Sequence, residues 1–301
     1  MNQSDIEKLI REEWLTLVND REAFLSKLEE NLFEASQKEG LILTDFEGVP
    51  EKWKPHITSI NLSVLALFEL AMIFSSRISE EELIYPSMKC NHYRKNMAIL
   101  SLANNLSNTA ISIRDLCQKG FDCQAKTLLR WFSEMSDTLN AMLFDQEMLT
   151  AYITDCEDSS QEYKQWRKYY SPKVVRNTLK KFESELCTEF EKDINISDKR
   201  EENYTWLSQY SHADFITQFI SAYADNENDE QSRLTFGGAQ SEQCLITLEH
   251  ATSQMFVFQC ILFNLLAKNH EWNGLVHDQE RLEWCLLIEV YKQHYLKKSY
   301  L

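Results

Sequence analysis

Apolar residues recur along this chain at spacings of three and four, and almost nowhere in strict alternation. The first spacing lays an apolar stripe along one face of a helix, whereas alternation would mark a strand. Residues 4–38 open on a capping pattern, Ser4-Asp5-Ile6-Glu7, and carry helical repeats from Ile6 to Leu32. Residues 39–55 hold two Gly and two Pro and read as a connector. Further helices are predicted at 56–78, 90–118, 121–144, 172–192, 200–222, 241–268 and 278–298, with a short segment at 146–154. Lys119-Gly120 supplies a stop signal, Asp145 a cap and Pro172 a first-turn residue. The polar stretch 225–240, which contains Gly237-Gly238, is the best candidate for a mobile loop. The pattern predicts an all-α fold, a large helical bundle of about nine or ten helices. Residues 1–55 would form an N-terminal arm and connector, and residues 56–301 the main bundle. The apolar helices 56–78, 121–144 and 241–268 would sit at its centre.

Composition points the same way. Six Gly and four Pro in 301 residues is far below the roughly 20 and 15 expected of an average chain. So few turn-forming residues mean few, long elements. The apolar share of 44% is enough for a large core. The net charge of −16 opposes association with phosphate backbones, so nucleic acid is disfavoured as a partner and an anionic membrane is not expected. A protein partner or a homodimer is the expectation instead. The eight Cys show no C-x-x-C spacing, and several lie in apolar runs, which predicts reduced, buried thiols. The charged N-terminus lacks an apolar leader core, so a cytoplasmic location is expected. The longest apolar runs, 62–74 and 255–267, fall short of the ~20 residues a membrane span needs.

Several chemistries leave no signature. No His has a Glu three residues before it and no H-E-x-x-H is present, so no metal site is predicted. No phosphate-binding loop follows the Gly pair, and no G-x-S-x-G nucleophile turn exists. No cofactor is therefore expected.

Two segments carry candidate chemistry. In the first, Arg130 and Glu134 stand four apart on an otherwise apolar helix, and a charge there needs a partner. They would either pair with each other or with Glu69 to fix packing, or frame a polar pocket in which Arg130 holds an anion. The second is the run Tyr204 to Phe215, with Ser208, Ser211 and His212 on neighbouring faces and Asp214 following. His212 there would either tie off a helix junction, or act as an acid, a base or a phosphate ligand.

The run Gly120-Phe121, Gln124-Ala125, Leu128-Leu129-Arg130 and Glu134, followed later by Leu207-Ser208 and Ser211-His212, resembles a family of bacterial helical proteins. That family is distantly similar to the HEPN superfamily. The resemblance spans roughly residues 95–265 and rests on short motifs. It implies an HEPN-like core and a place in a prokaryotic defence or toxin–antitoxin-type system. It also implies the possibility of metal-independent RNase chemistry, for which His212, Arg130 and Glu134 would be the catalytic candidates. Ser208, Ser211, Tyr204 and Asp214 would then be binding candidates. The chain departs from the superfamily's catalytic pattern, because no Arg is followed by four to six residues and then a His. The expected function is therefore a helical binding or regulatory module, with a nuclease or nucleotide-processing enzyme as the alternative.

Overall fold

The computed structural model describes residues 48–75, 91–190, 196–211, 223–224, 233–234, 240–268 and 278–298. Apart from one two-residue ladder, these residues are helical or connect helices. The arm expected at 4–38 lies outside the described residues, and the full helix count depends on such segments.

The first helix, α1 (Lys54–Ser75), is apolar all round and accordingly buried all round. It grows directly out of a single tight turn, Glu51–Trp53, and Trp53 is already part of the core. The bundle thus begins before residue 56. Glu51–Ser75 is also, by length and composition, long and apolar enough to cross a membrane, which corrects the expectation that no segment reaches that length. Its most apolar window is 89% buried inside the fold, so its apolar surface is covered by protein.

Around α1 pack α2 (Asn91–Gln118), α8 (Glu242–Lys268) and α9 (Asp278–Lys298). Each sends a polar side chain inward to bond α1. Arg114 of α2 donates to Asn61 Oδ1 at 2.6 Å. Gln259 of α8 donates to the Ser63 carbonyl at 3.1 Å, and Trp284 of α9 to the Ala66 carbonyl at 3.1 Å. Buried polar groups demand such partners, and these bonds fix the rotation of an otherwise featureless apolar cylinder.

The helix α2 ends where Lys119-Gly120 predicts. Gly120 takes φ +80°, and the Phe121 amide closes back on the Leu116 carbonyl at 2.8 Å. The chain reverses into α3 (Asp122–Phe144), which lies against α2 and α8 with its apolar stripe. Asp145 then caps α4 (Gln146–Tyr152), accepting from the Glu147 amide at 2.9 Å. Next come α5 (Ser159–Gln165) and, continuous with it, a π turn at Trp166–Tyr170. Pro172 opens α6 (Pro172–Phe190). The carboxylate of Glu183 on α6 accepts from the first amides of α7 (Ile196–Ser211), those of Ile196 at 2.6 Å and Ser197 at 3.2 Å. That cap starts α7 four residues before the expected position and clamps it to α6.

Beyond α7, β1 (Tyr223–Ala224) pairs antiparallel with β2 (Arg233–Leu234). Two residues are too few for alternation to show in a sequence. Most of the expected loop at 225–240 lies outside the described residues. The expected centre of 56–78, 121–144 and 241–268 is present as α1, α3 and α8, although α2 is packed against α1 more extensively than any other helix.

Candidate functional site: a charged cleft between α3, α6 and α7

Helices α3 and α7 lie side by side, and their paired residues give the direction. Asp137 meets Arg200, Arg130 meets Tyr204, and Lys126 meets Tyr210. Rising numbers on α7 pair with falling numbers on α3, so the helices are antiparallel. Charged residues at Arg130, Glu134 and Asp137 recur at three and four along α3 and share one face, turned to α6 and α7.

Arg130 donates through Nε to Glu134 Oε1 at 3.0 Å and through Nη2 to Tyr204 Oη at 3.2 Å. Burial works against its charge, but the hydrogen bond and charge of Glu134, with help from Tyr204, outweigh it and hold the guanidinium more firmly protonated than usual. The Tyr204 ring has a guanidinium carbon on it from each neighbouring helix, Arg130 and Arg176, both 5.0 Å from the centroid. Arg200 Nε meets Asp137 Oδ1 at 3.1 Å. Burial pushes the Asp137 carboxyl up, against the pull of Arg200 and Arg176, and Glu134 adds to the rise.

Three cavities meet at Arg200. The first, ≈ 290 Å³, lies between α6 and α7 and is lined by Lys173, Arg176, Asn177, Lys180, Ser197, Arg200 and Glu201. Four cations there face one carboxylate, in a chain whose overall charge is −16. The second, ≈ 340 Å³, shares Arg176 and Arg200 with it and is walled by Tyr152, Trp166, Tyr170 and Tyr204, with Glu134 and Asp137 on the α3 side. The third, ≈ 270 Å³, lies toward α8 and includes Asp137, Asn203 and Gln254. Each exceeds by far the roughly 10–15 Å³ that one water needs.

Of the residues singled out in the sequence, Arg130, Glu134 and Tyr204 come together here. Arg130 bonds Glu134 as expected, and Glu69 is buried on α1. Ser208 directs its hydroxyl to the Tyr204 carbonyl of its own helix at 2.7 Å. Ser211 is the last residue of α7, and its side chain, like the whole of His212 and Asp214, lies outside the described residues. Tyr210, at that end of α7, stands over Lys126 rather than Arg130.

Comparison with family models, with curated proteins and with solved structures finds no match.

Asp137, Arg176, Arg200 and the α6 lysines escaped the sequence reading. A signal existed for α6, where Lys173, Arg176 and Lys180 fall at helical spacing. Arg200 is too far in sequence from any His to suggest a pair, and its acceptor sits on another helix.

A second charged cluster occupies the other end of the same helices. Lys126 is wholly buried and bonds Asp122 Oδ2 at 2.5 Å, while Thr247 of α8 donates to Asp122 Oδ1 at 2.5 Å. The Lys126 ammonium lies 3.9 Å from the Tyr210 ring centroid and 5.4 Å from that of Trp206, which stacks on His250 at 4.2 Å. No cavity described above touches Asp122 or Lys126. Burial first, then the Lys126 charge, pulls the His250 pKa down.

Of the seven described Cys, Cys117 and Cys244 are buried, and the other five are half-buried. Burial pushes the thiols of Cys117 and Cys244 up, which keeps them protonated and unreactive. Among the described residues, no three His, Cys, Asp or Glu side chains gather as a metal cluster.

Proposed function

We propose that this chain is a helical binding module whose working surface is the cleft between α3, α6 and α7, and that the cleft receives an anionic, phosphate-like group. One observation carries the proposal. Lys173, Arg176, Lys180 and Arg200 surround a cavity with a single carboxylate, Glu201, against the grain of an acidic chain. Concentrating like charges is unfavourable unless a counter-charge arrives. Arg176 reaches Glu201 only at 3.9 Å, and Arg200 pairs with Asp137, which does not line this cavity. Two planar guanidinium groups and two mobile ammonium groups suit a multidentate oxyanion.

The similarity to the HEPN superfamily adds the expectation of an HEPN-like core and of a regulatory role, with a protein partner or a second copy, in the cytoplasm of a prokaryote, within a defence or toxin–antitoxin-type system. The anion would then be the signal that the module senses. Titration of the full chain with inorganic pyrophosphate tests the binding claim. Saturable binding that weakens with salt and is lost in Lys180→Glu is the expected outcome. No binding at low salt removes the proposal. Affinity purification from the native host should recover a stoichiometric partner, and recovery of the chain alone removes the regulatory part.

The alternative, an RNase built on Arg130, Glu134 and His212, draws support from α7, which carries Tyr204 against Arg130. Incubation with bulk RNA separates the readings: cleavage abolished by His212→Ala would favour the enzyme, and intact RNA would dismiss it.

A further inference from the structure

The aromatic cavity beside the basic one has a feature that an anion alone does not use. Its wall is formed by Trp166 and Tyr170, the first and last residues of a π turn, and by Tyr152. Trp166 remains 47% exposed and Tyr152 42% exposed, although both are large rings that burial would stabilise. A π turn is a rare form of helix, found frequently at functional sites. Here it carries straight on from α5, and its last ring, Tyr170, is anchored by a hydrogen bond to the Met148 carbonyl at 2.5 Å and packs edge-on to Tyr152 at 5.8 Å. The unusual backbone thus has fixed rings on the cavity wall instead of in the core.

We infer that this cavity receives the planar ring of a mononucleotide, with its phosphates in the adjoining basic cavity. The inference rests on the reading of that basic cavity as an anion site. Arg176 and Arg200 line both spaces, so a ligand with its ring in one and its phosphates in the other passes no barrier of opposite charge. Aromatic faces hold bases of any identity by stacking, while Glu134 and Asp137 on the opposite wall offer acceptors to exocyclic amino groups. A small nucleotide fits better than a polymer. A polymer would extend past the local cations onto the surface of a chain with net charge −16.

The test uses the full chain, the diphosphates of adenosine, guanosine, cytidine and uridine, inorganic pyrophosphate, adenosine and a short single-stranded RNA. At least one diphosphate should bind about tenfold tighter than pyrophosphate, the advantage expected of one stacked base. It should also quench tryptophan emission, and the quench should shrink in Trp166→Phe. Trp166→Ala should abolish the advantage and leave pyrophosphate binding intact, while Trp166→Phe should retain it. Trp166 is exposed, so these variants are expected to fold. Diphosphates that bind no better than pyrophosphate overturn the inference but leave the anion site standing, as does an advantage that survives in Trp166→Ala. Adenosine binding without pyrophosphate binding overturns the anion site and the nucleotide assignment with it. RNA binding without any mononucleotide binding overturns the inference in favour of a polymer ligand.

Discussion

Helix α3 carries two ion pairs of the same spacing, Asp122–Lys126 and Arg130–Glu134, and they differ in almost everything else. The first is sealed: its side chains are 0% and 2% exposed, its acid is bonded by Thr247, and its cation lies against two rings. The second is 19% and 40% exposed and adjoins a cavity in which further charges converge. Sequence spacing is blind to this difference, because both pairs satisfy the same helical rule. What distinguishes them is the neighbour supplied by α6, α7 and α8. A charge enclosed on all sides has its partners within the fold and serves packing. A charge at the wall of a cavity has room for a partner from outside.

The comparison is broken most sharply by stability. Asp122→Ala leaves the Lys126 ammonium buried without its carboxylate and should cost about 3–5 kcal/mol. Glu134→Ala removes a partner from a half-exposed pair and should cost below about 1 kcal/mol. Urea denaturation of both variants measures the contrast, and equal losses would erase the distinction. The double variant Asp122→Leu with Lys126→Met should recover most of the first loss, since it removes both charges together.

Ligand binding sharpens the comparison from the other side. Lys180→Glu should weaken pyrophosphate binding by about tenfold or more, since it reverses one of four cations around the cavity. Lys180 is exposed, so stability should hardly change.

Acid titration should separate the two ends by sign. Burial raises the Asp137 carboxyl, so it takes up a proton at a higher pH than an ordinary carboxylate as pH falls. That uptake removes a negative charge beside Arg200, so binding of sulfate, whose own charge is constant over this range, should strengthen with falling pH. Asp137→Asn should bind more strongly at neutral pH and flatten the dependence. Isothermal titration at several pH values reads both effects, and weaker binding in Asp137→Asn would contradict the assignment.

At the sealed end the expected effect is smaller. The folded pKa of His250 lies below its unfolded value near 6.5, so the unfolded chain binds the extra proton first. Stability should therefore fall as pH drops below about 6.5, and this component should vanish in His250→Phe. A Tm series over that interval checks it.

Most of the scaffold was legible from local signals. The Gly120 stop, the Asp145 cap and the Pro172 start all lie where sequence rules put them, because each acts within a few residues. The early start of α7 was not legible, since its cap is Glu183 from α6. The same reason explains the site. Arg130 and Glu134 stood out as charges on an apolar stripe, whereas Asp137 and Arg200 acquire meaning only through each other, across 63 residues of chain. The sealed pair went unnoticed because Asp122 looks like an ordinary first-turn acid until Thr247 bonds it and Trp206 and Tyr210 cover its partner Lys126. The π turn has no sequence signature of comparable strength.

The central claim is that the cations of α6 and α7 form a receptor for an anion. Calorimetric titration of pyrophosphate into the wild-type chain and into Arg200→Ala at low salt addresses it directly. Saturable one-site binding in the wild type, weakened about tenfold in the variant, is the predicted result. Absent binding, or affinities that do not differ, would contradict it.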